Sequence, residues 1–398
     1  MKELISKITG YFQIRDVLTV FLISLVHRVL ILLFGIYLLT GSLDINANNL
    51  LKAFIHWDGV WYLDIVDNGY DTSYSSFNPT DPECNTGTNA CQRNFAFFPL
   101  LPLVIKTVSS IINLDSGVTG VILANVFFIL SCIILYKFVK QIKGAKWAKY
   151  SLLGLLTFPT TYIFSGLMTE SLFLLLLVSS IYLAWNKKWL AAGLLAALLS
   201  ATRNIGILII IPFILIFLEH NNIRSFAQLV KSLRPAFILS LLLAPVGLIT
   251  FMIYLNNLTG DPLAFINIQR YWDKSVNGIS PLLAIPYSIV NWTLETTFKI
   301  HAYNLLYFLA SLGLLLYGYI KKLLPISLLS IILWLLVPLL SGSMLALPRY
   351  VSVLFPLYLL IGGIILRYRW LGRIYLVLSF ILSMIMLNTY VQGFWITV

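Results

Sequence analysis

Apolar runs of 14 to 23 residues recur along the whole chain, and no other feature narrows its possible folds as much. They cover about 17–39, 119–139, 150–166, 170–186, 189–202, 205–219, 235–255, 301–320, 323–341, 350–366 and 373–391. Helices of this length and character suit the ~30 Å hydrocarbon core of a bilayer. A soluble core could not absorb them. The chain of 398 residues is 59% hydrophobic and 11% charged, whereas ordinary globular proteins carry about 25% charged residues and still need a polar skin. The fold class that follows is all-α: a polytopic transmembrane helical bundle.

The formal net charge is +12. The basic residues sit in short clusters between apolar runs and not on one face or tail. That pattern indicates Lys and Arg retained on the cytoplasmic side, with membrane lipid and not nucleic acid as the partner. Met1 to Arg15 is basic and leads into a long apolar run without a small-residue cleavage site, so it reads as an uncleaved signal anchor with its N-terminus inside. The first loop is then outside, and it is acidic, with Asp44, Asp58, Asp64, Asp67, Asp71, Asp81 and Glu83. Lys137, Lys140, Lys143, Lys146 and Lys149 form the next basic cluster, followed by Lys187-Lys188, Arg224/Lys231/Arg234, Lys321-Lys322 and Arg367/Arg369/Arg373. All fall inside if a single crossing separates the first loop from the five lysines. The run 97–112, opening Phe97-Phe98-Pro99-Leu100-Leu101-Pro102, should therefore lie on the outer side as an interfacial or re-entrant helix, its prolines suiting a helix start. About eleven crossings and an outside C-terminus follow, with twelve crossings as the alternative if 97–112 also spans. Two outer segments are long, 40–118 and 256–300. They suggest a catalytic membrane module over residues 1–256 and a second unit, an outer loop with C-terminal transmembrane helices, over 257–398.

Of three cysteines, Cys132 lies within an apolar run as packing. Cys84 and Cys91 share the outer loop, where an oxidising compartment would allow a local disulfide. No metal-ligand spacing is present and no cofactor is called for.

Ionisable groups at membrane depth are costly and point to function. Asp58 sits in His56-Trp57-Asp58-Gly59-Val60-Trp61-Tyr62, which runs on to Asn68-Gly69-Tyr70. The aromatic residues place this stretch at headgroup level, where partial desolvation should raise the carboxyl pKa toward that of a general base. A solvated acid among membrane-anchoring aromatics is the alternative reading. Glu170, in Thr169-Glu170-Ser171, equally suits a helix N-terminus. Arg203, in Thr202-Arg203-Asn204, suits an anion or a snorkelling contact with headgroups. Arg349 starts another outer helix in Pro348-Arg349-Tyr350, and Gln269-Arg270-Tyr271-Trp272 places Arg270 beside two aromatics. His27-Arg28 lies midway through the first crossing, so Arg28 should face the bundle interior, pair with a carboxylate or reach a phosphate, and not face lipid. One candidate base and several candidate phosphate ligands thus gather on the outer face.

These stretches, taken in order, resemble the PIG-V family, the second GPI mannosyltransferase and its prokaryotic relatives. The resemblance rests on His56 to Tyr62, Asn68 to Tyr70, Phe97 to Pro102, Thr169 to Phe173, Thr202 to Gly206, Gly260-Asp261-Pro262-Leu263-Ala264-Phe265 with Gln269 and Trp272, and Pro348 to Tyr350 with Phe355-Pro356. It spans about residues 15–360. Each motif is weak alone; the shared order gives the set its specificity. The resemblance implies a GT-C fold whose first outer loop carries membrane-parallel helices. It also implies transfer of mannose or another sugar from a polyprenyl-phosphate donor to an acceptor on the outer face, with Asp58 as catalytic base. No metal is clearly implied. The short, Lys- and Asn-rich chain suggests a prokaryotic cell membrane, where a GPI acceptor is not expected. Gly59 follows Asp58, so the paired acids of many GT-C relatives are absent here.

The expected reaction is inverting. Asp58 deprotonates an acceptor hydroxyl, and Arg203, Arg270 or Arg349 stabilises the leaving phosphate. Glu170, Gln269 and Trp272 complete the donor site, and His56, Trp57, Tyr62 and Arg28 support it. A transporter or flippase of a lipid-linked sugar, with midplane polar groups and repeated halves, and a non-catalytic subunit of a transferase are the competing readings.

Overall fold

A computed structural model of the chain describes residues 2–71, 92–269, 296–340 and 346–394. Arg270, Trp272, Cys84 and Cys91 lie outside the described residues.

The described residues form helices and no strands. Five helices are long and apolar enough to cross a membrane: Ile14–Thr40, Ser116–Lys143, Pro235–Thr259, Tyr303–Ile320 and Arg369–Val391. Six shorter apolar helices accompany them: Leu100–Ile112, Glu170–Trp185, Trp189–Ser200, Asn204–His220, Ile326–Leu336 and Pro356–Arg367. Ser116–Lys143 packs on Lys2–Thr40, Ala145–Leu156 and Glu170–Trp185. Ala145–Leu156 also packs on Pro356–Arg367, and the first helix meets the last, Arg369–Val391. Backbones approach where side chains are small. A Cβ on Gly362 would lie 2.6 Å from the Ser151 amide nitrogen, and one on Gly193 would lie 2.6 Å from Ser240 Cα.

Several apolar runs are broken where the sequence pattern reads as continuous. The run 150–166 leaves the α-helix after Leu156, just before Pro159, and continues as a 3-10 turn over Thr161–Ser165. The run 350–366 divides into Leu347–Ser352 and Pro356–Arg367 at Pro356. Helices Pro235–Leu243 and Val246–Thr259 meet at Pro245. Each proline lacks a backbone N–H and restricts the residue before it, so the ladder ends there despite unbroken hydrophobicity.

Leu100–Ile112 starts where the paired prolines indicate, with Pro99 as its N-cap residue. Its 13 residues span about 20 Å, short of the hydrocarbon thickness. Its first amide donates to the Ala201 carbonyl at 3.2 Å, tying it to the turn that carries Arg203. Cys132 is buried and free.

Candidate active site

Four separated segments bring their charged side chains to one point. Asp58 is the first residue of helix Asp58–Asn68, Glu170 the first of Glu170–Trp185, Arg203 precedes the 3-10 helix Asn204–Ile209, and Arg349 lies in Leu347–Ser352. Arg349 Nη2 donates to Asp58 Oδ2 at 2.5 Å, and its Nε donates to Glu170 Oε1 at 2.7 Å. Arg203 Nη2 donates to that same Glu170 oxygen at 3.0 Å, and its guanidinium lies 5.2 Å from the centre of the Tyr350 ring. The Glu170 side chain is fully buried and that of Arg349 is 4% exposed, whereas Arg203 is 14% and Asp58 26% exposed. The cluster is therefore closed behind Glu170 and open on the side of Asp58 and Arg203. Glu170 Oε2 and Arg203 Nη1 are buried with no hydrogen-bond partner. Polar atoms left unsatisfied at such a point are costly.

The backbone is strained on both sides of the central ion pair. Trp57, immediately before Asp58, has φ 45° and ψ −108°, and Ala346, at the start of the Arg349 helix, has φ 61°. Such conformations cost of order 1–3 kcal/mol each in a non-glycine residue. Gly59 permits a close approach: a Cβ there would stand 2.9 Å from the Leu167 carbonyl oxygen. That carbonyl belongs to the buried turn leading into Glu170, so Gly59 sets the spacing between the two acids.

The remaining aromatics of the first motif act as scaffold. Trp61 stacks on Phe97 with ring centres 5.9 Å apart, and Tyr62 meets the same ring edge-on at 5.3 Å. Burial, then the charge of Asp58, raises the Tyr62 pKa, so its hydroxyl stays protonated. Tyr70 donates to the Phe97 carbonyl at 2.7 Å. Asn94, itself buried, donates to Asp64 at 2.8 Å and to the Gly69 carbonyl at 3.0 Å. The Asn68-Gly69-Tyr70 stretch is thus locked to the 94–98 turn.

His56 lies 5.2 Å from the rings of both Trp57 and Tyr390. Burial lowers its pKa below the usual 6.5, leaving a neutral imidazole at neutral pH. Tyr390, on the last helix, also packs on Tyr162 and donates to the Phe54 carbonyl at 3.3 Å. Leu167 N donates to that carbonyl at 3.0 Å. The C-terminal helix therefore braces the turn before Glu170. Nothing in the sequence marks Tyr390 among the tyrosines of apolar runs. Asn94, in a polar loop, carries no signal either.

Arg28 is elsewhere. It is 1% exposed and faces the interior as expected, and among the described residues its hydrogen bonds go to no carboxylate. It donates to the Thr161 carbonyl at 2.9 Å, the Thr161 hydroxyl at 2.8 Å, Ser165 Oγ at 3.2 Å and His27 Nδ1, over the Phe128 ring at 4.1 Å. It holds the 3-10 turn that replaces the broken helix. Gly260-Asp261-Pro262 is a helix stop: Gly260 adopts φ 76°, and Asp261 accepts from Leu263 N and the Asn267 amide, both at 2.8 Å. The turn packs Phe265 against Phe98 and Phe251. Gln269 is half-buried after this turn and shares no hydrogen bond with the cluster. Among the described residues no three His, Cys, Asp or Glu side chains gather as a metal site would require.

No family model matches this sequence, and no curated protein matches it. Solved structures do. The oligosaccharyltransferase of Archaeoglobus fulgidus, tethered to an acceptor peptide containing the NVT sequon, superposes with a TM-score of 0.50 at 12% identity, covering 97% of this chain and 56% of that one. Its apo form gives 0.47 at 14% identity over 93% and 56% of the two chains. The same archaeal enzyme, AglB, in complex with an inhibitory peptide and a dolichol-phosphate, gives 0.43 at 13% identity over 93% and 56%. This chain thus spans just over half the length of the protein it matches. At such identity the likeness is one of fold: the described residues form a helical bundle, with five helices long and apolar enough to cross a membrane, similar in fold to that oligosaccharyltransferase.

Proposed function

We propose that the protein is an inverting glycosyltransferase of the PIG-V kind. It moves a sugar, mannose by that resemblance, from a polyprenyl-phosphate donor to an acceptor hydroxyl at the outer face of a prokaryotic cell membrane. The observation that carries this reading is the convergence of Asp58, Glu170, Arg203 and Arg349 from four distant motifs into one cluster in which Asp58 and Arg203 are partly exposed. Asp58, the more exposed of the two acids, takes the proton of the acceptor hydroxyl. The freed oxygen forms a bond to the anomeric carbon from the face opposite the donor phosphate. The bond from that carbon to the phosphate oxygen breaks, and its electron pair stays with the departing polyprenyl phosphate. Arg203 and Arg349 supply donors and positive charge where negative charge accumulates. Glu170 holds both guanidinium groups in place and does not itself contact the donor. The fold similarity to an oligosaccharyltransferase supports the class of reaction.

The rival transporter reading loses its main feature, because the donors of Arg28 are committed to the Thr161–Ser165 turn. The test is reconstitution of the purified protein with labelled polyprenyl-phosphate-mannose and a panel of glycan, lipid and peptide acceptors. Wild type is expected to transfer label, and Asp58→Asn to lose transfer while keeping its unfolding temperature. Undiminished transfer by Asp58→Asn would overturn the assignment.

A further inference from the structure

We infer that Arg349 is a counter-charge shared between the base and the leaving group, so that protonation of Asp58 and departure of the phosphate are coupled. The inference rests on the transferase reading above. Arg349 bonds Asp58 through Nη2 and Glu170 through Nε, so one end of the guanidinium is anchored while the other points toward the open side. Glu170, buried behind it and also bound to Arg203, is the fixed pivot. Asp58 alone of the two acids is partly exposed, where an acceptor hydroxyl can reach it.

Charge counting shows what this arrangement does. The four side chains sum to zero, and a sugar phosphodiester adds one negative charge. During transfer the acceptor proton neutralises Asp58, while the phosphate gains a second negative charge as its bond to the sugar breaks. The total is unchanged, but the anion that Arg349 faces has moved from the carboxylate to the phosphate. Arg349 need only turn its Nη2 edge, released by the neutral carboxyl, about the Glu170 contact to follow it. The unpartnered Nη1 of Arg203 lies in the same cluster as a second donor for that oxygen. A base whose counter-ion were fixed elsewhere would have no such link to the leaving group.

This arrangement makes Asp58 a competitor of the product phosphate for Arg349, which a base acting alone would not be. The experiment measures binding of sugar-free polyprenyl phosphate to wild type, Asp58→Asn, Arg349→Gln and Asp64→Asn, each purified in detergent with its unfolding temperature recorded. Asp58→Asn mimics the neutral carboxyl. It is expected to bind polyprenyl phosphate roughly ten-fold tighter than wild type, the scale of one charge-assisted contact released. Arg349→Gln should lose binding, and Asp64→Asn should bind as wild type. Equal affinity of wild type and Asp58→Asn, with transfer intact in wild type, would overturn the coupling and leave the transferase reading standing. Absence of both binding and transfer in wild type would overturn the transferase reading itself.

Discussion

Glu170 illustrates how far one residue can be asked to hold a site together. Its side chain is fully out of solvent, and a single oxygen accepts from two guanidinium groups. Removing one member of such a buried set leaves the others uncompensated, at a cost of about 3–5 kcal/mol. Glu170→Gln is therefore expected to unfold at markedly lower denaturant or temperature and to lose transfer; a loss below about 1 kcal/mol would mean that the cluster is solvated. His56 gives a pH prediction at the same scale. Its folded pKa lies below the ordinary 6.5, so the fold favours the neutral ring. Its contribution to stability is present above the ordinary pKa and falls away as the pH drops below it, because the unfolded chain protonates first. Unfolding temperature measured from about pH 7 to pH 5 should decline more steeply for wild type than for His56→Gln.

At the scale of elements, the site is made by interruptions. Helix Ala145–Leu156 ends early and the buried Thr161–Ser165 turn leads to Glu170; a second interruption before Asn204–Ile209 presents Arg203; a third, between Ser352 and Pro356, follows Arg349. Half-helices expose backbone groups and allow polar side chains inside an apolar bundle, where protein and not lipid surrounds them. The strained Trp57 and the close-packed Gly59 then fix the Asp58 helix against the Glu170 turn. Gly59→Ala would press a methyl group onto the Leu167 carbonyl, a backbone atom that cannot swing aside. We expect a cost of about 1–3 kcal/mol. Transfer should fall by more than that stability loss explains, because Asp58 shifts relative to Arg349. A transfer rate equal to wild type would show that the spacing of the two acids is not critical.

The whole molecule raises the question of sidedness. We propose, from the basic clusters, that Lys187-Lys188 lie inside and, with Leu100–Ile112 along the outer surface, that Leu114 lies outside. A membrane-impermeant thiol reagent applied to intact cells should label Leu114→Cys at once and Lys188→Cys only after permeabilisation, with the native cysteines replaced. The reverse pattern would favour twelve crossings, which would leave Asp58 outside and put Glu170, Arg203 and Arg349 inside, against the contacts of Arg349 with both acids. Arg349, from beyond residue 256, joins a cluster whose other members lie before it.

Bilayer residence, the helical class and the motifs that carry Asp58, Glu170, Arg203 and Arg349 are all legible from residue order, because hydrophobic length and local residue type are one-dimensional properties. The broken helices were less legible. Unbroken hydrophobicity at 150–166 masked the stop before Pro159, although the proline itself was the available signal. Pairing was beyond reach. The sequence listed each arginine as a separate phosphate ligand and Glu170 as a helix-end acid or donor contact. Only the tertiary structure put both arginines on one Glu170 oxygen and gave Asp58 a guanidinium partner, a counter-charge that the desolvation argument omitted. It likewise assigned Arg28 to a backbone turn and brought Tyr390 from the last helix to the back of the site. Composition can decide which solvent a chain lives in, because that depends on sums over residues. Which charge meets which depends on angstrom distances between segments nearly three hundred residues apart, and those exist only once the chain has folded.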